Sequence, residues 1–184
     1  MKKTTTLIIL FLFYFNSYSQ DEWTMIHPSP TIDHLLDTHF ISEEEGWVVG
    51  PRGLILYTDD GGDEWITQHS NPDESFSGIF FIDDNEGWVV GWDNVYHTEN
   101  GGNTWEEQTT QYYIGDLEDV FFINPDTGWI VGSHKTILKT TNGGESWITI
   151  MNASSIQTYF TSVFFTDELN GYVVGCQIGS NDEG

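Results

Sequence analysis

The sequence predicts an all-β fold, a β-propeller of four-stranded antiparallel blades, and three recurrences predict it. A strand opening on glycine and an aromatic returns four times, as Gly46-Trp47-Val48-Val49-Gly50, Gly87-Trp88-Val89-Val90-Gly91, Gly128-Trp129-Ile130-Val131-Gly132 and Gly171-Tyr172-Val173-Val174-Gly175. A double-glycine turn returns three times, as Thr58-Asp59-Asp60-Gly61-Gly62-Asp63-Glu64-Trp65, Thr98-Glu99-Asn100-Gly101-Gly102-Asn103-Thr104-Trp105 and Thr140-Thr141-Asn142-Gly143-Gly144-Glu145-Ser146-Trp147. The tryptophans that close these turns recur at a period of about 40 residues, the length of one propeller blade. Helical periodicity is absent, so nothing in the pattern competes with strands.

Taken in order, the chain opens with Lys2 and Lys3, an apolar run from Leu7 to Phe15 and then Ser17-Tyr18-Ser19. That is a charged, apolar and small-residue succession, read as a signal peptide over residues 1–19 with cleavage before Gln20. The run is too short for a stable bilayer span, and no other stretch approaches the roughly 18 apolar residues such a span needs. An exported mature chain without a membrane span is expected. Trp23-Thr24-Met25-Ile26-His27 reads as a strand that begins like those following the three turns. Residues 20–33 are therefore assigned to an outermost closing strand and a linker.

Three full units follow, over residues 34–70, 71–110 and 111–152, and residues 153–184 start a fourth. Each opens on an apolar strand: Leu35 to Ile41, Gly78 to Ile82, Val120 to Ile123 and Ser162 to Phe165. An acidic turn leads to the glycine-aromatic strand, and a third strand (Leu54 to Tyr57, Val95 to His97, Ile137 to Lys139) runs into the double-glycine turn. In that turn Asn100 is expected to bond its own backbone two residues on, Gly102 to take positive φ, and the Thr98 and Thr104 hydroxyls to occupy turn amides. Trp47, Trp88 and Trp129 are expected between neighbouring blades, because a lone blade cannot cover both its faces. With about three and a half blades, the expectation is an arc, part of a larger ring.

The 29 acidic residues against 5 basic give a net charge of −24, and two of those five bases, Lys2 and Lys3, lie in the leader. Such a surface repels phosphate backbones, which excludes nucleic acid as a partner. Cys176 is the only cysteine, so no internal disulfide can form.

The three turns resemble the Asp box, or bacterial neuraminidase (BNR) repeat. With the preceding glycine-aromatic strands, the chain resembles the photosystem II stability and assembly factor family. The box positions are Thr58, Asp60, Gly62 and Trp65; Thr98, Asn100, Gly102, Thr104 and Trp105; and Thr140, Asn142, Gly144, Ser146 and Trp147, with Glu64 standing where the first box would have a hydroxyl. The resemblance implies a seven-bladed secreted or lumenal propeller that acts as a chaperone-like binding scaffold without a catalytic centre. Family members that bind photosystem subunits carry an arginine-rich face, whereas Arg52 is the only arginine here.

Neither a metal nor a cofactor is expected. One side-chain oxygen per box is too few for calcium, which takes six or more. The histidines (His27, His34, His39, His69, His97, His134) have no short repeated ligand spacing, and no serine has a nucleophile-elbow context. A sialidase would need an arginine cluster to grip its substrate carboxylate, and one arginine cannot supply it. A carbohydrate-active propeller, hydrolase or glycan-binding, is the alternative function, with Asp93, Asp116 and Asp119 among many candidate carboxylates. The sequon Asn152-Ala153-Ser154 matters only where asparagine is glycosylated.

Alternating strand direction divides the loops between two faces. One carries the boxes with Glu43, Glu44, Glu45, Asp83, Asp84, Glu86, Asp126, Asp167 and Glu168, an anionic rim. The other carries Pro51-Arg52-Gly53, Trp92-Asp93-Asn94 and Ser133-His134-Lys135, with Phe76, Tyr112, Tyr113, Tyr159 and Phe160 from the blade-linking loops. Aromatic and cationic groups on one face suit a binding surface. Arg52, Trp92, Tyr112, Tyr113, His134 and Lys135 are therefore the candidate residues for a protein partner, and packing into the blade seams is the competing role for these aromatics.

Overall fold

The computed structural model describes residues 34–71, 73–108, 115–151 and 158–177. Residues 1–33, with the segment read as a signal peptide and the stretch at Trp23 read as a strand, lie outside the described residues, as do Tyr112, Tyr113 and the Asn152 sequon. Fourteen strands and no helix make up the rest. Blade 1 is β1 (Asp37–Phe40), β2 (Gly46–Gly50), β3 (Leu54–Thr58) and β4 (Ile66–His69); blade 2 is β5 (Phe76–Phe81), β6 (Gly87–Gly91), β7 (Asn94–Thr98) and β8 (Glu106–Gln108). Blade 3 is β9 (Leu117–Phe122), β10 (Gly128–Gly132), β11 (Thr136–Thr140) and β12 (Ile148–Met151). The fourth sheet holds β13 (Thr158–Phe165) and β14 (Gly171–Gln177). Each full blade is an antiparallel meander in sequence order.

The glycine-aromatic strand is the centre of each sheet. β2, β6 and β10 are buried at every position, as a strand with sheet neighbours on both sides and blades on both faces must be. Their valines and isoleucines suit that place, being stiff at χ1 and well packed on a pleated surface. The first strands β1, β5, β9 and β13 lie side by side from blade to blade.

The blades are fastened by stacked rings. Trp47 lies on Phe81 of the next blade at 3.6 Å between centroids, Trp88 on Phe122 at 3.5 Å and Trp129 on Phe165 at 3.6 Å. The three indoles are at most 3 % exposed. Each such pair adds about 0.5–1.5 kcal/mol beyond the area it buries. The glycine of the motif belongs to the same device: Phe81 pairs with Gly87 across β5 and β6, and a Cβ there would sit 2.6 Å from the Phe81 ring. Only a bare backbone lets the phenyl lie down to receive the preceding blade's tryptophan. A second row of rings, His39, Phe80, Phe121 and Phe164, runs through the same seams at centroid spacings of 4.8, 5.2 and 5.0 Å.

Candidate functional site

The Asp boxes prove to be self-contained turns. Thr98 Oγ1 accepts from the Gly102 amide at 2.9 Å and the Asn100 amide at 3.3 Å, and donates to Asn100 Oδ1 at 3.1 Å. Thr58 and Thr140 repeat this with Gly62 and Gly144, and all three threonines are buried. Gly102 holds φ at +85°, as its place in the turn requires. The side chain of Asn100 does not reach the amide two residues on as expected: its Oδ1 accepts from the Thr104 amide, four on, because the second glycine carries the backbone around to it. Nor does the Thr104 hydroxyl occupy a backbone amide; it accepts from Asn100 Nδ2 at 2.9 Å, as the Ser146 hydroxyl does from Asn142 Nδ2 at 3.1 Å.

The odd box is odd at two positions together. Asp60 accepts the Glu64 amide at 2.9 Å and 3.1 Å, and having no Nδ2 it offers nothing for a hydroxyl at position 64 to accept. That amide and the Thr58 hydroxyl hold the Asp60 carboxyl below its ordinary value.

Two boxes also latch blades together. Gly101 O accepts from Gln68 Nε2 at 2.7 Å and Trp47 Nε1 at 3.4 Å, both from blade 1. Gly143 O takes Gln108 Nε2 and Trp88 Nε1 from blade 2, both at 3.1 Å. Sequence reasoning missed the glutamines, whose signal was a shared place three residues after the tryptophan of the first two boxes, where the third has Ile150. Beside the first latch is a cleft of about 500 Å³ lined in part by Glu45, Tyr57, Asp84, Asn85 and Asn103. Burial and a 2.9 Å hydrogen bond to Glu45 push the Tyr57 phenol up to about 12. Among the described residues no group of three or more His, Cys, Asp or Glu could hold a metal ion.

The box turns meet the acidic turns of their own blades, through Gly61 N to Glu44 O, Gly101 N to Asn85 O and Gly143 N to Asp126 O. The β2–β3 turns therefore leave the opposite face. Their backbones are tied to the segment entering the next blade, Arg52 O accepting from Asn71 N, Trp92 O from Leu117 N, and Lys135 N donating to Thr158 O. One turn per blade thus projects Arg52, Trp92, or His134 with Lys135. Trp92 is 55 % exposed, Arg52 is exposed, and His134 and Lys135 are half-buried. Arg52, His134 and Lys135 have φ of 61°, 57° and 58°, the only non-glycine residues with positive φ among those described.

Other loop-face aromatics pack instead. Phe76 is fully buried, 5.4 Å from Tyr96 and 5.8 Å from His69 between ring centroids, so it belongs to the seam of blades 1 and 2. Phe160 packs against the Trp129 cluster, and Tyr159 is half-buried in β13. Beside Phe76, Glu74 accepts from Asn71 Nδ2 at 2.6 Å and Tyr96 OH at 2.9 Å, with His69 Nε2 at 2.8 Å. Of the candidate sugar carboxylates Asp93 and Asp116 are exposed, while Asp119 is a seam clasp. Its Oδ2 accepts Val163 N at 2.8 Å and Ser162 Oγ at 2.9 Å from blade 4, as Asp37 Oδ2 accepts Ile79 N at 2.9 Å across the first seam.

Repeat, seam and box together set the architecture. The sequence profile of the photosynthesis system II assembly factor YCF48 matches residues 15–113 and 109–179. The chain belongs to this family. Among solved structures, YCF48 from Cyanidioschyzon merolae is similar at 28 % identity and TM-score 0.63, over 75 % of this chain and 49 % of that one. YCF48 bound to D1 peptide is similar at 23 % identity and TM-score 0.63, over 72 % of this chain and 48 % of that one. An ancestral GH74 enzyme shares the fold at 16 % identity and TM-score 0.55, over 76 % of this chain and 25 % of that one. The chain thus spans about half the length of the YCF48 structures it matches. A comparison with curated proteins finds no significant match. Among the described residues of this family member, no helix is long and apolar enough to cross a membrane.

Proposed function

We propose that this protein is an exported, non-catalytic propeller that presents its β2–β3 turns as a docking face for a peptide segment of a protein partner. Family membership supports a binding scaffold, and one of its relatives is seen with a peptide bound. The observation that carries the reading to these residues is the strain they hold. Two-residue hairpin turns with positive φ favour asparagine and glycine, because a side chain there costs about 1–2 kcal/mol. Here Arg52, His134 and Lys135 occupy such positions. Arg52 is exposed and His134 and Lys135 are half-buried, and side chains kept at a conformational cost where they reach solvent are characteristic of a site in use. Three of the chain's five bases lie beyond the leader, and two of those three, Arg52 and Lys135, stand on this one face of a strongly acidic protein. With Trp92 they suit an extended peptide carrying carboxylates and an apolar side chain.

Arrays of immobilised peptides, acidic and neutral, probed with the purified chain test this. Capture of acidic peptides that is lost in Trp92→Ala and in Arg52→Gly, both still folded, supports the reading. No capture, or capture unchanged in both variants, overturns it.

A further inference from the structure

Each motif tryptophan touches two partners, the next blade's phenylalanine and the residue paired with it on the third strand of its own blade. That second partner differs in all three seams. Tyr57 lies 5.2 Å from Trp47 between ring centroids, His97 lies 4.9 Å from Trp88 with the planes 18° apart, and Lys139 Nζ stands 5.0 Å from the Trp129 ring. The residue before the motif glycine is Glu45 in blade 1, accepting from the Tyr57 hydroxyl at 2.9 Å; Glu86 in blade 2, its Oε1 3.5 Å from His97 Nε2; and Thr127 in blade 3. Of the three tryptophan partners only His97 is of a kind that titrates near neutral pH.

We propose that the seam between blades 2 and 3 is an acid-responsive joint, in which protonation of His97 loosens the hold of Trp88 on Phe122 and Gly143. His97 Nε2 is buried and makes no hydrogen bond, and the side chain is 14 % exposed. The charged groups that face it are Glu86, Glu99 of the box turn and Glu106, paired with it on β8. Burial, then Asp83, Glu99 and Asp126 of blade 3, push the Glu86 carboxyl up, which makes it a poor counter-ion. Glu99 and Glu106 are exposed and screened by water. Burial outweighs them and holds His97 below its ordinary value. The opened seam therefore binds the proton more readily than the closed one, and opening is favoured as pH falls from about 6.5 until the folded value is passed. Lys139 does not share this penalty, because a long stem lets its charge reach water while a ring laid on Trp88 cannot follow. A pocket of about 200 Å³ lined by His97, Glu99, Asn100, Thr104 and Glu106 gives the proton its approach. The joint divides the blade of Trp92 from that of His134 and Lys135, so the proposed docking face spans it, but the joint itself rests only on the seam.

Hydrogen exchange of the Trp88 indole N–H, followed by NMR on the purified chain, reads the opening directly, since that group donates to Gly143 O inside the seam. Wild type is compared with His97→Tyr, which rebuilds beside Glu86 the pair that Tyr57 and Glu45 make in blade 1, so that the intrinsic exchange chemistry and every other titrating group cancel. The wild-type to variant ratio of exchange rates is expected to rise at least about threefold from about pH 7.5 to about pH 5.5, one linked proton allowing at most about tenfold per pH unit. The same ratio at the Trp47 indole is expected to stay level. His97→Lys, which places the blade 3 residue here, serves in the same way should His97→Tyr not fold. A ratio at Trp88 that is flat or falls on acidification, or a rise that Trp47 matches, would overturn the proposal.

Discussion

Trp88 of blade 2 lies on Phe122 of blade 3, the ring centroids 3.5 Å and the planes 14° apart, while its Nε1 donates to Gly143 O at 3.1 Å. One side chain therefore joins the core of a seam to the turn above it. Trp88→Ala removes a fully buried indole and is expected to cost about 3–5 kcal/mol, read as a lowered urea midpoint. Gly87→Ala adds a single methyl against the Phe81 ring and is expected to cost about 1–3 kcal/mol, with both midpoints measured under one buffer.

Thr98→Val keeps the shape of the buried side chain and strips the acceptor from the Gly102 amide. An unsatisfied buried amide costs about 1–3 kcal/mol. Thr98→Ser restores the hydroxyl, and a midpoint recovered by serine and lost with valine assigns the effect to the hydrogen bond.

The first box supplies a coupled test. Asp60→Asn introduces a side-chain amide with no hydroxyl opposite it, and Glu64→Thr supplies the hydroxyl. The single Asp60→Asn variant is expected to be less stable than wild type and the double variant to regain the loss. Additive effects in the double-mutant cycle would show that the two positions are independent.

At Glu74 burial alone would raise the carboxyl, but hydrogen bonds from His69, Tyr96 and Asn71 outweigh it and hold the group below its ordinary value. A depressed carboxyl stabilises the fold above its unfolded value, and that contribution fades as pH falls through the folded one. Asp119 is the opposite case, raised by burial against the hydrogen bonds from Val163, Ser162 and Val120, so it favours the fold on the acid side and the benefit is lost as pH rises. Below about pH 5 the wild type should lose stability more steeply than Glu74→Gln and less steeply than Asp119→Asn, as followed by denaturation at successive pH values.

Replacing His134 by Asn and Lys135 by Gly places the usual residues of this turn type where φ is 57° and 58°. The pair is expected to stabilise the protein by about 1 kcal/mol and to weaken peptide capture. Gaining stability while losing capture is a result that a purely structural turn would not give.

Much of this was legible because each element is written in residues with few alternatives. The glycine-aromatic strands fall where the sequence put them, Gly46–Gly50, Gly87–Gly91 and Gly128–Gly132, since a motif bounded by glycines defines its own ends. The third strands run slightly longer, to Thr58, Thr98 and Thr140, because the threonine that opens each box still pairs in the sheet while its hydroxyl serves the turn. Less visible was what the tryptophans touch: Phe81, Phe122 and Phe165 lie in runs such as Ile79-Phe80-Phe81, where alternation does not tell one ring's role from its neighbour's. The first strand of blade 1 is Asp37–Phe40, shorter than the apolar stretch from Leu35 to Ile41, and Leu35 and Leu36 before it are exposed. Of the two roles the sequence leaves open for Phe76, binding at the loop face or packing in a seam, the structure takes packing, because the His69 and Tyr96 rings draw it inward.

Because each of the three described seams is the same tryptophan, phenyl and glycine contact, a blade meets on its new neighbour a surface it already fits. Recombination between repeats can lengthen or shorten such a protein by whole units without inventing an interface, so lineages are free to differ in blade number while the local chemistry stays fixed.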